Sequence, residues 1–345
     1  MAKINLVFCI LVLLLQTSCW HRSTTYSLHS EVFFGYFDTY FVFHKFTASR
    51  AEFDEYALLV EEELGRLHML FDIHHEYEGI NNLKTVNLNA GLVPVHVDGC
   101  IIQLIMYGAW AYGFTYGAVN IAFGSVLELW RPFLLGEADG PPYFGDLEEA
   151  NRATNINAMG FDTYSSTVFL GHGGMSIDVG SIAKGYALTR IAGILGDNGS
   201  WLLDFGGDVL ARGFNHDADR YWRVGIRNPA NQNEIIKSVD VQNKSVASSG
   251  NYLRSVILND SLYHHIIDPS TLMPARGFAQ TTAIHENPIV AEALSTAMFI
   301  LPFNEGLRLV ESIGAAGIWV LEDGEVVIHQ GGDAFTLPNP DPPKK

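Results

Sequence analysis

Within Ser176 to Ala187, Ser-Ile-Asp-Val-Gly-Ser-Ile-Ala-Lys-Gly-Tyr-Ala, the hydrophobic period of the chain changes. Met175 and Ile177 suit a strand edge, and Gly180-Ser181 gives a tight turn with Ser181 as candidate N-cap. Ala183, Ala187, Ile191, Ile194 and Leu195 then recur at helical spacing until the Gly196 to Gly199 cluster stops the helix. A strand that passes through small residues into a helix presents unpaired main-chain N–H groups and the positive end of the helix dipole, which suits a phosphate. Lys184 in the first turn adds a charge. Many such turns bind nothing, so this stretch alone leaves both readings open.

The start of the chain bears on location. Lys3 precedes an apolar run from Ile4 to Leu15 broken only by Asn5, and Gln16-Thr17-Ser18-Cys19 follows. This reads as a secretory signal, too short for a stable membrane span. A cysteine after small residues at the cleavage point looks like a bacterial lipobox, although Gln16 stands where leucine is usual. Cys19 is therefore expected to be the lipidated first residue of a mature envelope protein, with an ordinary signal peptide as the alternative. The expected organisation is a signal at 1–18, a polar tether at 19–31, one folded domain at 32–332 and a Pro-rich, disordered tail at 333–345. Cys100 is then the single remaining thiol besides the anchor, so no intrachain disulfide is expected and the fold must rest on its core. A hydrophobic content of 48% supplies one. The formal charge of -17 argues against nucleic acid or an anionic lipid surface as partner. An anionic ligand would need a local device, either a metal or a helix end.

Val32 to Phe46, rich in aromatic and β-branched residues, is predicted as strand, with Gly35 as a bulge or turn. Phe53 to Asp72 is an amphipathic helix. His74 and His75 are adjacent, so they converge poorly on one metal ion and read as surface histidines. Asp98 opens a second helix, and Trp201 to Val209 runs through the Gly206-Gly207 turn. Ile235 to Val246 reads as one strand and Ser248-Ser249-Gly250 as a small-residue turn. A hairpin is expected around Asn259-Asp260, helices at Pro288–Phe299 and Asn304–Ile313, and a second hairpin around Asp323-Gly324.

In order along the chain, Asp178-Val-Gly-Ser-Ile-Ala-Lys-Gly-Tyr-Ala187, Asp204-Phe-Gly-Gly-Asp208, Ser248-Ser-Gly-Asn-Tyr-Leu-Arg254, His265-Ile-Ile-Asp-Pro269 and Ala291-Glu-Ala-Leu-Ser-Thr-Ala297 resemble the ApbE family of FAD:protein FMN transferases. The resemblance runs from about Phe33 to His329. It implies an α+β domain, a mixed sheet covered by helices, of the T-fold-like type. It also implies a Mg²⁺-dependent enzyme that takes FAD as substrate and places FMN on a threonine of an acceptor flavoprotein subunit, at a membrane to which a lipid anchor holds it.

By the same resemblance, the ion would be held by the main-chain oxygen of Ala183 and by Glu292 and Thr296, whose i, i+4 spacing puts both on one helix face. Glu292 departs from the family's usual aspartate by one methylene. His265 is the candidate for proton handling, and Asp268 either orients its ring or sits in a turn. Gly180, Ser181 and Lys184 form one candidate phosphate cradle, and Ser248, Ser249 and Gly250 a second. Phe37 and Thr39 fall near the expected flavin ring, where Phe37-Asp38-Thr39 replaces Met-Gly-Thr. Asp178 is placed at the cofactor as the residue that fixes the turn. The competing functions are an FAD pyrophosphatase using the same groups and a flavin-binding lipoprotein without turnover.

Overall fold

The computed structural model describes residues 25–332 except Asn198, together with residues 335–336. The expected signal segment, Cys19 and the end from Leu337 lie outside the described residues.

Strands β1 (Ser27–Tyr36) and β2 (Thr39–Thr47) form a hairpin, followed by helices α1 (Arg50–Phe71) and α2 (Leu83–Leu88), strand β3 (Val95–His96), helices α3 (Gly99–Phe114), α4 (Gly124–Leu134) and α5 (Phe144–Asn151), and strands β4 (Met159–Asp162) and β5 (Thr167–Leu170). Helix α6 (Ala183–Leu195) leads into hairpin β6 (Trp201–Phe205) and β7 (Asp208–Arg212), ribbon β8 (Trp222–Asn228) and β9 (Asn231–Val241), strand β10 (Lys244–Gly250) and hairpin β11 (Ser255–Leu258) and β12 (Ser261–His264). Strand β13 (Phe278–His285), helices α7 (Pro288–Ile300) and α8 (Phe303–Ser312), and strands β14 (Ala316–Leu321) and β15 (Val326–His329) complete the order.

The architecture is α+β, as expected. Its main sheet has eight strands in the order β1-β2-β6-β7-β10-β13-β14-β15, and each neighbouring pair is antiparallel. Because strand side chains alternate between faces, the sheet buries both. On one face Phe41, Phe43, Leu203, Phe205 and Ala283 join the main core with α1, α3, α6 and α7. On the other, Phe46, Val209, Val246, Ile284 and Ile318 meet Trp222, Val224, Val239 and Val241 of the β8–β9 ribbon. A third cluster packs Phe123, Val126 and Trp130 against Ile267 and Leu272.

Helix α7 is apolar almost all round, which fits its place between the sheet and α6. Asn287 caps it by accepting the N–H groups of Ile289 and Val290, and Pro288 at the first helical position loses no bond there. The approach of α6 to α7 depends on Gly185. A Cβ at that position would sit 2.6 Å from the carbonyl oxygen of Pro288 and 2.8 Å from Cα of Ile289.

Several local expectations are corrected. The stretch from Val32 to Phe46 is strand with an irregularity at Gly35, as expected, but it reverses at Phe37-Asp38, where both φ values are positive, at 53° and 55°, to form a hairpin. Residues 27–31, expected in the tether, pair with β2. Ile235 to Val246 divides at Asn243 (φ 53°) between the ribbon and the main sheet. Ser248 to Gly250 is not a turn but the end of β10, in register with Thr282, Thr281 and Gln280 of β13. Before α6 there is only an isolated bridge, Phe123 to Ser176, and the N-cap is Ile182 with no side-chain cap, not Ser181. Phe335 is buried against the β8–β9 side, and Thr336 exchanges both main-chain bonds with Asp240, so these two residues of the expected tail are packed.

Candidate active site

The extended segment before α6 is held by its neighbours. Asn87 accepts the N–H of Ile177 at 2.7 Å and donates to its carbonyl at 3.0 Å, while Ser176 Oγ donates to Glu128 at 2.7 Å. Asp178 Oδ1 then accepts the N–H of Gly180 at 2.8 Å, which makes it the residue that fixes the turn. Burial pushes the Asp178 carboxyl above its ordinary pKa, against the lowering effect of that N–H.

Three buried or half-buried charges meet at the start of α6. Lys184 Nζ donates to Glu292 Oε1 at 2.6 Å and to Asp208 Oδ2 at 2.9 Å. Glu292 Oε2 accepts the N–H of Gly185 at 2.7 Å, and Asp208 Oδ1 that of Ser248 at 3.1 Å. Glu292 is 3% exposed, so it is an interior carboxylate of α7 and not a solvated helix residue. Burial raises its pKa and Asp208 adds to the rise, while Lys184 and the Gly185 N–H oppose it. Burial would depress Lys184, but its two carboxylates outweigh that and hold the ammonium charged well above neutrality.

Thr296 stands one turn along from Glu292. Its hydroxyl lies 3.3 Å from Ser249 Oγ and 3.3 Å from the carbonyl oxygen of Glu292, and Ser249 also reaches Ser295 Oγ at 3.0 Å. The second motif therefore meets α7 through side-chain hydroxyls, with Ser249 opposite Thr281 of β13 and the Ser248 N–H on Asp208. In the first turn the N–H groups of Gly180, Ile182 and Ala183 bond to Asp178 Oδ1 and twice to the carbonyl of Val179. Part of each expected phosphate cradle is thus bonded within the protein, at Gly180, Ile182, Ala183 and Ser248.

His264 ends β12 and His265 follows it, and the two rings take different partners. His264 is 3% exposed, bonds Ala275 O through Nε2 at 2.9 Å and lies edge-on to Phe299. His265 Nδ1 is 3.0 Å from Leu253 O. A carbonyl only accepts, so Nδ1 carries the proton and Nε2 keeps the lone pair. Burial, with smaller effects from Arg254 and His264, pushes the His265 pKa down to about 4. Asp268 does not orient that ring: its Oδ1 accepts from Ser270 N at 2.8 Å and Ser270 Oγ at 2.7 Å within a turn.

Phe37 packs edge-on against Phe205 at 5.1 Å and Phe71 at 6.2 Å, so its ring faces the core from the β1–β2 turn. Thr39 abuts the β6–β7 turn, where a Cβ on Gly206 (φ +62°) would lie 2.5 Å from Thr39 Oγ1.

Sequence reasoning gave no role to Asp208, and Arg254 and His74 were likewise missed. Arg254, at φ 46°, meets Asp38 loosely at 4.0 Å and depresses His265. His74 Nε2 accepts from Arg131 Nη1 at 2.6 Å and feels Asp178 and Asp38, so it belongs beside the site despite looking like a surface residue. The Asp208 signal was present in its motif, next to the Gly-Gly turn. A groove of about 940 Å³ lies alongside, lined by Tyr112, Asn120, Asp268, Arg276 and Phe303 among others, but not by Lys184, Glu292 or His265.

A model of the ApbE family matches residues 38–319. An FAD:protein FMN transferase of Treponema pallidum (strain Nichols) is 30% identical over 266 residues, 72% of this chain and 73% of that protein. One from Klebsiella pneumoniae (strain 342) is 29% identical over 255 residues, covering 72% and 77%. Among solved structures, the ApbE protein of Thermotoga maritima superposes with a TM-score of 0.77 at 28% identity, over 88% of this chain and 97% of that one. The flavin transferase ApbE of Vibrio cholerae has the same fold, with a TM-score of 0.77 at 18% identity over 90% and 100% of the chains.

Proposed function

The chain belongs to the ApbE family, and we propose that this flavin transferase moves FMN from FAD to a threonine hydroxyl of an acceptor protein, releases AMP and uses Mg²⁺. The observation that carries the reading is His265, a histidine kept neutral with its Nε2 lone pair uncommitted, within electrostatic reach of Lys184, which Asp208 and Glu292 hold.

In this reading the threonine oxygen attacks the phosphorus of the FMN half. A new P–O bond forms, the bond from that phosphorus to the bridging oxygen breaks, and AMP leaves with the electron pair. His265 Nε2 takes the threonine proton, a contribution of about 10²- to 10⁴-fold. Main-chain Leu253 fixes its tautomer and Lys184 supplies positive charge at the start of α6. Among the described residues no group of three or more His, Cys, Asp or Glu could hold a metal. The donors at Glu292 and Thr296 are nonetheless hard oxygens, and two buried carboxylates face one ammonium, a surplus negative charge that suits Mg²⁺. Glu292, Thr296 and the Ala183 carbonyl would hold it. When bound, the ion would offset charge on the pyrophosphate and the leaving AMP.

The test is incubation with FAD, Mg²⁺ and a flavin-carrying acceptor protein, followed by fluorescence of the separated proteins. A fluorescent acceptor band with one AMP released per flavin is expected. AMP and FMN without the band would make the protein an FAD pyrophosphatase, and neither product would leave a flavin-binding protein. We also propose export to the bacterial envelope with lipid at Cys19. No described helix is long and apolar enough to cross a membrane. Labelling with a fatty-acid analogue in wild type but not Cys19→Ala is expected, and equal labelling would refute the anchor.

A further inference from the structure

The Glu292 carboxylate spans two donors. Oε1 accepts from Lys184 Nζ at 2.6 Å, and Oε2 accepts from Gly185 N at 2.7 Å. The same ammonium holds Asp208 Oδ2 at 2.9 Å. The side chains of Glu292 and Asp208 are 4% and 5% exposed and that of Lys184 is 26% exposed, so Lys184 is the one of the three that reaches solvent.

Two carboxylates and one ammonium sum to a formal charge of −1. Lys184 is thus a cation already seated on an oxygen of the carboxylate that Mg²⁺ would use. A divalent ion and an ammonium at contact with one carboxylate repel each other strongly where water is largely excluded. The pair cannot both keep Oε1 in comfort.

We propose that Lys184 is a built-in counter-cation that competes with the divalent ion for Glu292. Ion binding exchanges Glu292 Oε1 from Lys184 to the metal, and the ammonium stays on Asp208 with one N–H released. Lys184 therefore weakens ion binding when no substrate is present. An anionic substrate that takes up the released N–H favours the exchange, so ion and FAD bind with positive and reciprocal coupling. The inference rests on the reading of Glu292 as a metal ligand, and its distinct content is the role of Lys184.

The experiment is calorimetric titration of Mn²⁺ into the FAD-free protein, for wild type, Lys184→Gln, Glu292→Gln and the double variant. Glutamine at 184 keeps a hydrogen-bond donor without the charge. Lys184→Gln is expected to bind Mn²⁺ about tenfold more tightly or better, and Glu292→Gln to remove binding in either background. Equal or weaker binding by Lys184→Gln, with binding still dependent on Glu292, overturns the competition and leaves the ligand assignment standing. Binding that survives Glu292→Gln, or is absent throughout, overturns the ligand assignment and the competition with it. A second measurement needs no substitution at 184. In the wild type, acetylation of Lys184 read by mass spectrometry is expected to rise when Mg²⁺ is added and not to rise in Glu292→Gln. An unchanged or lower extent in the wild type refutes the exchange.

Discussion

At the scale of single residues, His264 and His265 separate packing from chemistry. For a general base the neutral imidazole is the working form, and burial holds the His265 pKa down to about 4. Turnover should therefore stay level from neutral pH down to about pH 5 and fall only as the pH approaches 4, as a pH–rate profile would read. Folding stability should change with the opposite emphasis. The unfolded histidine titrates near ~6.5, so the unfolded state binds more protons between there and about pH 4, and this group's share of stability is lost as pH falls through that window. His265→Gln should lower turnover by roughly 10²-fold or more with little change in Tm. His264→Gln should instead lower Tm by several degrees, because it disturbs a 3% exposed ring bonded to Ala275, with turnover per folded molecule unaltered. Glu292→Asp shortens a carboxylate that bridges Lys184 and the Gly185 N–H. It should cost about 1–3 kcal/mol of stability by leaving one buried group unpaired, yet keep or raise Mg²⁺-dependent turnover. A variant as stable as wild type but inactive would contradict this account of the bridge.

At the scale of elements, the site is assembled where α6 lies against α7. The contact is a close one: Gly185→Ala would place Cβ 2.6 Å from the Pro288 carbonyl oxygen, inside contact distance of main chain that cannot swing away. In an exposed helix the same change would gain up to about 1 kcal/mol. Here overpacking should outweigh that gain and cost about 1–3 kcal/mol net. Chemical denaturation midpoints of Gly185→Ala and of Gly193→Ala, where nothing lies within 4 Å of a new Cβ, form the comparison. The first should fall and the second hold or rise. If Gly185→Ala is neutral, the α6–α7 approach is looser than its geometry indicates. Because Glu292 hangs from α7 and Lys184 from α6, any separation of the helices should also weaken the bridge, and with it ion binding.

At the scale of the whole molecule, the antiparallel sheet is covered on both faces. The ribbon side is closed at one edge by the chain end, where Phe335 is 8% exposed and Thr336 pairs with Asp240. Truncation after Gly332 should therefore lower Tm by several degrees while leaving turnover of the folded protein intact, since neither residue is near His265 in the bonding network. A truncated chain with unchanged Tm in calorimetry would show that this end adds nothing to the ribbon's packing.

The order of motifs and the hydrophobic periods determined much by local means. The long helix α1, with Phe53, Val60, Leu64 and Leu67 inward, follows from spacing alone. So do the Asp98 cap and the turns at Gly206-Gly207 and Asn259-Asp260, whose positive φ values need residues of that kind. Each of these depends on neighbours within a few positions. The sequence also put Lys184, Glu292, Thr296 and His265 in one site through a resemblance, without saying what they touch. Only the tertiary structure decided that Ser248 to Gly250 is a strand, because its ladder partners are some thirty residues away in β13. It alone set Asp208 and Glu292 on either side of Lys184, since residues from β7, α6 and α7 meet there. Whether a lysine faces solvent, a phosphate or two buried carboxylates is fixed by which elements pack around it, and no pattern along one segment contains that information.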